Sequence, residues 1–152
     1  MIRLLERRFD VELPLADAWR FLARVAEWPR WAAHIRSIDL DPHGEVGART
    51  SGRIRLKNGV TSTFRITEFA PGRNWKWAGP FLWLTIHYDH RFEALAAERT
   101  RLTWTVDAEG FGASTLGRLF AAIYARSLDQ AIPNLIAAMP RGLGGQSPPN
   151  RT

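Results

Sequence analysis

Apolar and polar residues alternate along most of the chain, the period-two pattern of half-buried β-strands. It predicts strands over residues 2–13 and 35–40, a hairpin on both sides of Asn58-Gly59, and further strands between Trp75 and Val106. One apolar strand face is expected to carry Leu82, Leu84, Ile86, Tyr88, His90 and Phe92. After Gly112 the apolar spacing becomes helical. The chain is therefore expected to place many strands before one long helix.

The final helix is predicted from about Ser114 to Met139. Its expected inward positions mix bulky and small residues: Leu116, Phe120, Ile123, Ser127, Ala131 and Leu135. A single apolar helix that follows strands can bury its face only on the concave side of a curved sheet. We therefore expect an α+β fold with an antiparallel sheet of about seven strands wrapped around this helix. Such a sheet leaves a cleft at one end, and clefts bind small molecules.

Two short helices are expected after the first strand. Pro14 suits the start of a helix, and Asp17 adds a carboxylate in its first turn. Leu15, Ala18, Leu22 and Val25 follow at helical spacing. The segment 28–31, Trp-Pro-Arg-Trp, predicts a second short turn or helix.

The hairpin at Asn58-Gly59 permits a prediction of register. A two-residue loop would pair Leu56 with Thr61 and mix the two faces of the sheet. A three-residue loop pairs Leu56 with Val60 and keeps both faces consistent. We therefore predict a type I turn with Gly59 in the left-handed region as a bulge.

Composition indicates one domain over residues 1–139, and the Gly- and Pro-rich segment 140–152 is expected to be a disordered tail. Cysteine is absent, which excludes disulfides and thiolate zinc sites. The charged N-terminus does not suit a signal peptide, and no apolar stretch reaches the ~20 residues of a membrane span, so a cytoplasmic location is expected. The net charge of +6 comes from scattered arginines without a nucleic-acid-binding motif, so no nucleic-acid partner is expected.

Four segments resemble the START-like (SRPBCC) superfamily of polyketide cyclase/dehydrase and lipid-transport proteins. They are VELPLADAWRFLARVAEWPRWAAHI, ITEFAPGRNWKW, HYDHRFE and YARSLDQAIPNLIAAM, and the resemblance extends over about residues 1–139. It implies the Bet v 1-like helix-grip fold, with a hydrophobic cavity between sheet and terminal helix that binds lipids, polyketides or other apolar ligands. It also implies that a minority of members are cyclases or aromatases. These are patterns of apolar and turn residues, so they support the fold more than an activity.

Eight side chains are the candidate ligand-binding residues. They are Phe64, Trp75, Trp77, Tyr88, His90, Trp104, Phe120 and Tyr124, all expected between the sheet and the helix. Large aromatic residues in this position either fill a core or form the wall of a cavity, and the sequence leaves both open. Trp28 and Trp31 are expected to brace the short helices near the mouth of the cavity.

His90 is the main polar candidate, with Tyr88 beside it. A buried imidazole without a partner would cost about 1–3 kcal/mol, so a protein group, water or ligand should contact it. It is either a satisfied core histidine or a group that orients a ligand or acts in acid/base catalysis. His87 and His90 project to opposite faces of one strand, so no metal site is expected, and no cofactor motif is present.

Cyclase chemistry would call for a buried cation or several convergent donors. By alternation Arg49, Arg53, Arg55, Arg65, Arg91 and Arg101 all fall on the outer face. This disfavours an enzyme and predicts a basic outer stripe that is either solvated or meets an acidic protein or membrane surface. The sequence thus favours a carrier of a small apolar ligand. A cyclase or aromatase using His90 and Tyr88, or a protein-interaction module using the outer sheet, are the alternatives.

Overall fold

A single antiparallel sheet of seven strands dominates the computed structural model, which describes residues 1–144. Its order is β1-β7-β6-β5-β4-β3-β2. The strands are β1 (Ile2–Val11), β2 (Ile35–Asp41), β3 (Ser51–Leu56), β4 (Thr61–Ala70), β5 (Asn74–Phe81), β6 (Leu84–Ala96) and β7 (Arg99–Glu109). Consecutive strands from β2 to β7 are neighbours, and β1 closes the far edge beside β7. The number of strands agrees with the expectation.

The helices also lie where the sequence pattern puts them. Helix α1 (Leu15–Ala23) and a 3₁₀ helix (Val25–Arg30) connect β1 to β2, and α2 (Leu116–Gly144) follows β7. The Pro14 carbonyl accepts the backbone N–H groups of Asp17 and Ala18 at 3.0 Å, so the proline begins α1 as expected. The chain therefore has the predicted α+β helix-grip fold.

The turn between β3 and β4 confirms the predicted register. Ile54 lies opposite Ser62, and the Leu56 N–H donates to the Val60 carbonyl at 2.8 Å. Gly59 has a φ of +91°, in the left-handed region that a residue with a side chain rarely adopts. Inner and outer side chains thus stay on their own faces through the hairpin.

Helix α2 differs from its prediction in its limits and in one inward position. It begins at Leu116 and extends to Gly144, beyond the expected end at Met139, and residues 145–152 of the predicted tail lie outside the described residues. Ile123 is 64% exposed, so its predicted inward position is wrong. Among residues 116–139, the buried positions are Gly117, Ala121, Leu128, Ala131, Leu135 and Met139. At 100° per residue, the stripe that contains Leu128 and Leu135 passes through Ala121 and Tyr124 and leaves Ile123 on the solvent side.

An ion pair and close packing attach α2 to the edge of the sheet. Its main contacts are with β1 and α1. Arg7 of β1 donates from Nε to Asp129 Oδ1 at 2.7 Å and from Nη2 to Oδ2 at 3.1 Å. This hydrogen-bonded pair holds the pKa of Asp129 below its usual range. Arg7 lies opposite Trp104 on the inner side of β1, a position that the sequence analysis did not assign to any arginine.

Two positions near β6 also depart from the expected pattern. Leu82 does not share the apolar strand face, because β6 begins at Leu84 and Leu82 lies 66% exposed in a turn. Asp89 lies on the outer face as expected, yet it is buried. It accepts hydrogen bonds from Asn74 Nδ2 at 2.9 Å and from Arg91 Nε at 2.8 Å. These donors satisfy the buried carboxylate.

Gly79 of β5 is needed because the backbone of β4 passes close to it. A Cβ atom at this position would collide with the Thr63 carbonyl oxygen. Neither that oxygen nor Gly79 can move without disturbing the ladder between β4 and β5.

We predict that Gly79→Ala lowers the free energy of unfolding by about 2 kcal/mol or more, because the added methyl group overpacks a backbone contact. Gly47→Ala is the matched control, since a Cβ there would meet only Thr50 Oγ1, at an ordinary 3.9 Å. Urea denaturation of both variants measures the difference. Equal stability of the two variants would contradict the proposed contact.

Candidate functional site

A row of three aromatic side chains crosses the inner face of the sheet. Trp75 of β5, His90 of β6 and Trp104 of β7 are direct cross-strand neighbours. The His90 ring stacks on Trp75 with centroids 5.3 Å apart and meets the Trp104 ring edge-on at 5.8 Å. All three residues are at least 94% buried, with exposures of 0%, 5% and 6%.

The 3₁₀ helix covers this row. Trp28 lies 5.6 Å from His90 and stacks on Trp104 at 6.2 Å with an interplanar angle of 18°. Its indole N–H donates to the Leu22 carbonyl at 2.9 Å. Trp31 is buried beside it and packs against the same Trp104 ring. Both tryptophans are buried in the aromatic core, and the Trp28 hydrogen bond braces the two short helices as the sequence analysis expected.

Two buried hydrogen-bond donors in this core have no partner. Within the described residues, neither Trp75 Nε1 nor Trp104 Nε1 makes a hydrogen bond. Each such donor costs about 1–3 kcal/mol when it is removed from water without an acceptor. The two indoles flank His90 on either side, so the unmet hydrogen-bonding capacity is concentrated at one place in the fold.

His90 is neutral in this environment. Burial lowers its pKa to about 4, partly opposed by a hydrogen bond to the Trp75 carbonyl and by the charge of Asp89. Nδ1 lies 3.3 Å from that carbonyl oxygen, which is the partner the sequence analysis required. The bond favours the tautomer with a proton on Nδ1 and leaves Nε2 as an acceptor.

Tyr88, Tyr124 and Phe120 form a second aromatic group nearer the start of α2. The rings of Tyr88 and Tyr124 meet edge-on at 5.8 Å, and Phe120 stacks on Tyr124 at 5.6 Å. Burial raises the pKa of Tyr88 far above its usual range and that of Tyr124 to about 12. Both phenols therefore stay protonated and can donate hydrogen bonds. All three residues nevertheless retain accessible surface.

The eight candidate residues thus fall into two groups. Phe64, Trp75, Trp77, His90 and Trp104 are buried, whereas Tyr88, Phe120 and Tyr124 are half-buried. The buried group packs tightly: the rings of Phe64 and Trp77 lie 4.5 Å apart, and Trp77 lies 4.5 Å from His90. The half-buried group borders a region where inner-face residues of β3 and β4 are also only half-buried.

That region lies between β3, β4 and the first turns of α2, and we call it the inner cleft. Its sheet side carries Ile54, Ser62 and Ile66, all half-buried although they share the inner face with Phe64. They remain partly accessible because α2 packs chiefly on β1 and α1, at the opposite edge. The helix side carries Phe120 and Tyr124, and Phe81 contacts Phe120 at 4.8 Å.

Two pockets lie elsewhere on the molecule. One of about 580 Å³ lies on the outer face of β1, β5, β6 and β7 and is lined mainly by charged side chains, including Arg8, Arg73 and Glu93. The other, of about 490 Å³, lies between the 3₁₀ helix and the last turns of α2, with Trp31 and Asn134 in its wall. Neither lies in the inner cleft, where the sequence analysis expected an open cavity.

The outer arginines lie largely as predicted. Arg53, Arg55 and Arg65 are exposed on neighbouring strands, and Arg49 is exposed just before β3. Asp39 of β2 lies opposite Arg53 and 4.0 Å from Arg55, so a carboxylate offsets part of the positive charge. Such exposed pairs contribute little to stability.

Side chains that could bind a metal ion do not cluster in the part of the chain that the structure describes. No group of three or more His, Cys, Asp or Glu residues comes together there. The described helices also include none with the length and apolar content needed to cross a bilayer.

Comparison with known proteins places this geometry in a family. Residues 3–135 match the family described as polyketide cyclase/dehydrase and lipid transport. A search of curated proteins finds no match.

Three solved structures share the fold. A hypothetical protein from Helicobacter pylori has a TM-score of 0.73 at 14% identity, over 88% of this chain and 86% of its own. The ZhuI aromatase/cyclase from Streptomyces sp. R1128 has a TM-score of 0.69 at 18% identity, over 90% of this chain and 93% of its own. Ara h 8.0201 has a TM-score of 0.64 at 14% identity, over 89% of this chain and 95% of its own. The structural likenesses show the Bet v 1-like helix-grip fold, and the match over residues 3–135 shows that the chain belongs to the polyketide cyclase/dehydrase and lipid transport family.

Proposed function

We propose that this protein binds a small apolar or amphipathic molecule that carries a hydrogen-bond acceptor, and that the molecule enters through the inner cleft. The observation that carries the proposal is the pair of unpartnered indole N–H groups of Trp75 and Trp104 on either side of His90. Trp77 lies between the half-buried Tyr88 and the buried His90, so a ligand from the cleft would have to move past the Trp77 ring to bring a carbonyl or ether oxygen to either indole. It would then recover part of a cost of about 1–3 kcal/mol per donor.

The chemistry of the surrounding groups supports a neutral, largely apolar ligand. His90 is uncharged at neutral pH, and both phenols are protonated donors. Arg7, which lies on the inner side of β1, is already paired with Asp129. A hydrocarbon chain or planar ring system with one or two oxygens suits such a lining better than an anion does.

The comparisons support the class of ligand. The family description covers polyketide cyclases, dehydrases and lipid transport, and one structural neighbour is an aromatase/cyclase. A lipid-like or polyketide-like molecule agrees with these descriptions and with the apolar side chains of Ile54, Ile66 and Phe120 at the cleft.

A cyclase-type reaction in the same interior is a second candidate. His90 and Tyr88 are two residues apart on one strand face, which places an acceptor nitrogen and a phenol donor on the same side of the sheet. A base whose pKa is about 4 removes protons poorly at neutral pH, so this geometry supports binding better than turnover. His90→Phe, which keeps an aromatic ring, should leave a carrier's ligand binding within about threefold. Loss of turnover of a poly-β-ketone substrate in the folded variant would instead favour the enzyme.

We predict that Ser62→Phe weakens ligand binding about tenfold or more, because a benzyl group added at this inner position fills part of the cleft. Thr63→Phe adds the same group on the outer face of β4 and is the matched control. Titration with methyl oleate, a neutral ester, followed by tryptophan fluorescence measures the difference, since the chain has seven tryptophans. Equal affinity of the two folded variants would contradict binding in the cleft, and native mass spectrometry of the purified protein tests for a retained ligand directly.

We also predict that stability falls as the pH decreases from about 6.5 to about 4. The unfolded chain protonates His90 near pH 6.5, whereas burial lowers its pKa to about 4 in the folded state, so acid favours unfolding. Protonation of His90 should lower the free energy of unfolding by roughly 3 kcal/mol over this range. Urea denaturation at several pH values should show a smaller acid loss for His90→Phe than for the wild-type protein. An equal acid loss in the two proteins would contradict the assignment of the effect to His90.

A further inference from the structure

Six large apolar side chains are exposed together at one end of the molecule. Val60, Leu82, Trp83, Phe111, Leu119 and Ile123 have exposures between 53% and 91%. We call this group the apolar tip. The other exposed large apolar residues in the described chain are Met1, Leu95 and Ile136. Isolated exposed apolar residues are ordinary, but a contiguous group usually marks an interaction site.

The sheet register brings these residues together from four separate segments. The β5–β6 turn carries Leu82 and Trp83, and Thr85 just after it lies opposite Glu109 at the end of β7. The β7–α2 loop, with Phe111, therefore begins beside that turn. The hairpin tip with Val60 lies at the same end, because Gly79 of β5 passes against Thr63 of β4. The first turns of α2 add Leu119 and Ile123, one helical turn apart.

The tip is built as a defined surface rather than as loose loops. The Trp83 indole N–H donates to the Phe111 carbonyl at 2.8 Å and joins the two loops. Leu82 has a φ of +54°, in the left-handed region that leucine rarely adopts. This backbone conformation costs stability and leaves the Leu82 side chain 66% exposed. Folding alone gives no reason to keep a leucine there.

The charges around the tip are positive. The segments 78–86 and 110–128 contain no Asp or Glu, whereas Arg118 and Arg126 lie exposed on α2 beside Leu119 and Ile123. Glu109, the nearest carboxylate along the chain, is engaged by His87 Nε2 at 2.9 Å. A second copy of this chain would bring like charges together at a symmetric contact.

We propose that the apolar tip docks this protein on an anionic lipid surface. Tryptophan, phenylalanine and leucine side chains that protrude from loop tips and a helix face can enter the headgroup boundary, and the flanking arginines favour anionic lipids. The surface is distinct from the outer arginine stripe that the sequence analysis suggested for such a contact. The proposal does not depend on the ligand proposed above.

Vesicle co-sedimentation of the full-length protein tests this proposal. With vesicles of phosphatidylcholine and phosphatidylglycerol at 70:30, the wild-type protein should bind, and Phe111→Ser together with Leu119→Ser should reduce binding about tenfold or more. Leu95→Ser, at the opposite end of the sheet, is the matched control and should bind like the wild type. Arg118→Gln together with Arg126→Gln should weaken binding by about fivefold per charge and reduce the preference over pure phosphatidylcholine.

Leu82→Asn distinguishes a role of Leu82 in vesicle binding from a purely structural role. Asparagine tolerates the left-handed backbone conformation, so the melting temperature should be unchanged or higher while vesicle binding falls. Ser62→Phe, which blocks the inner cleft, should bind vesicles like the wild type, and this separates docking from ligand binding.

Three results would overturn the proposal. One is undiminished vesicle binding by the Phe111→Ser, Leu119→Ser variant. Another is a wild-type dimer in analytical ultracentrifugation that the same substitutions convert to a monomer, which would assign the tip to a second copy. The third is binding to soluble polyglutamate with no binding to vesicles, which would indicate an acidic protein partner.

Discussion

The concave face of a seven-stranded sheet is wider than one helix can cover, and this constraint governs the rest of the structure. Helix α2 packs on β1 and α1, where the Arg7–Asp129 pair attaches it. The 3₁₀ helix packs on β2, at the other edge, and its Trp28 and Trp31 rings reach Trp77, His90 and Trp104 in the middle of the sheet. In residues 1–144, no helix makes comparable contact with β3 or β4. The inner cleft is what remains uncovered.

The aromatic core is a consequence of the same constraint. A few large rings can bridge the distance between a curved sheet and short covering elements, where aliphatic side chains would leave voids. Indole and imidazole rings bring polar atoms into that interior. The Trp28 indole N–H donates to the Leu22 carbonyl, and His90 Nδ1 is hydrogen-bonded to the Trp75 carbonyl. The indole N–H groups of Trp75 and Trp104 have no hydrogen-bond partner in the described residues. Residues that complete the packing therefore also provide the unsatisfied donors on which a binding function can be proposed.

The same end of the molecule presents both the inner cleft and the apolar tip. Phe120 belongs to the cleft, and Leu119 and Ile123 on the neighbouring face of α2 belong to the tip. The first turns of the helix thus have two apolar faces, one toward the sheet and one toward solvent. Such a helix is more apolar than its packing requires, which is why periodicity alone misassigned Ile123 to the interior.

The sequence by itself determined the seven-stranded sheet, the order of the elements along the chain, the hairpin register at Gly59 and the inner position of His90. Alternation along the strands was sufficient for this, because a period of two allows only one face to be apolar. Only the tertiary structure decided which inner residues are packed and which stay accessible. The separation of Trp75 from Tyr124, the pairing of Arg7 with α2 and the exposure of Leu82 depend on where α2 and the loops rest on the sheet. Those positions follow from contacts between residues far apart in the chain, such as Arg7 with Asp129 at a separation of 122 and Trp83 with Phe111 at a separation of 28. Local periodicity carries no information about such contacts.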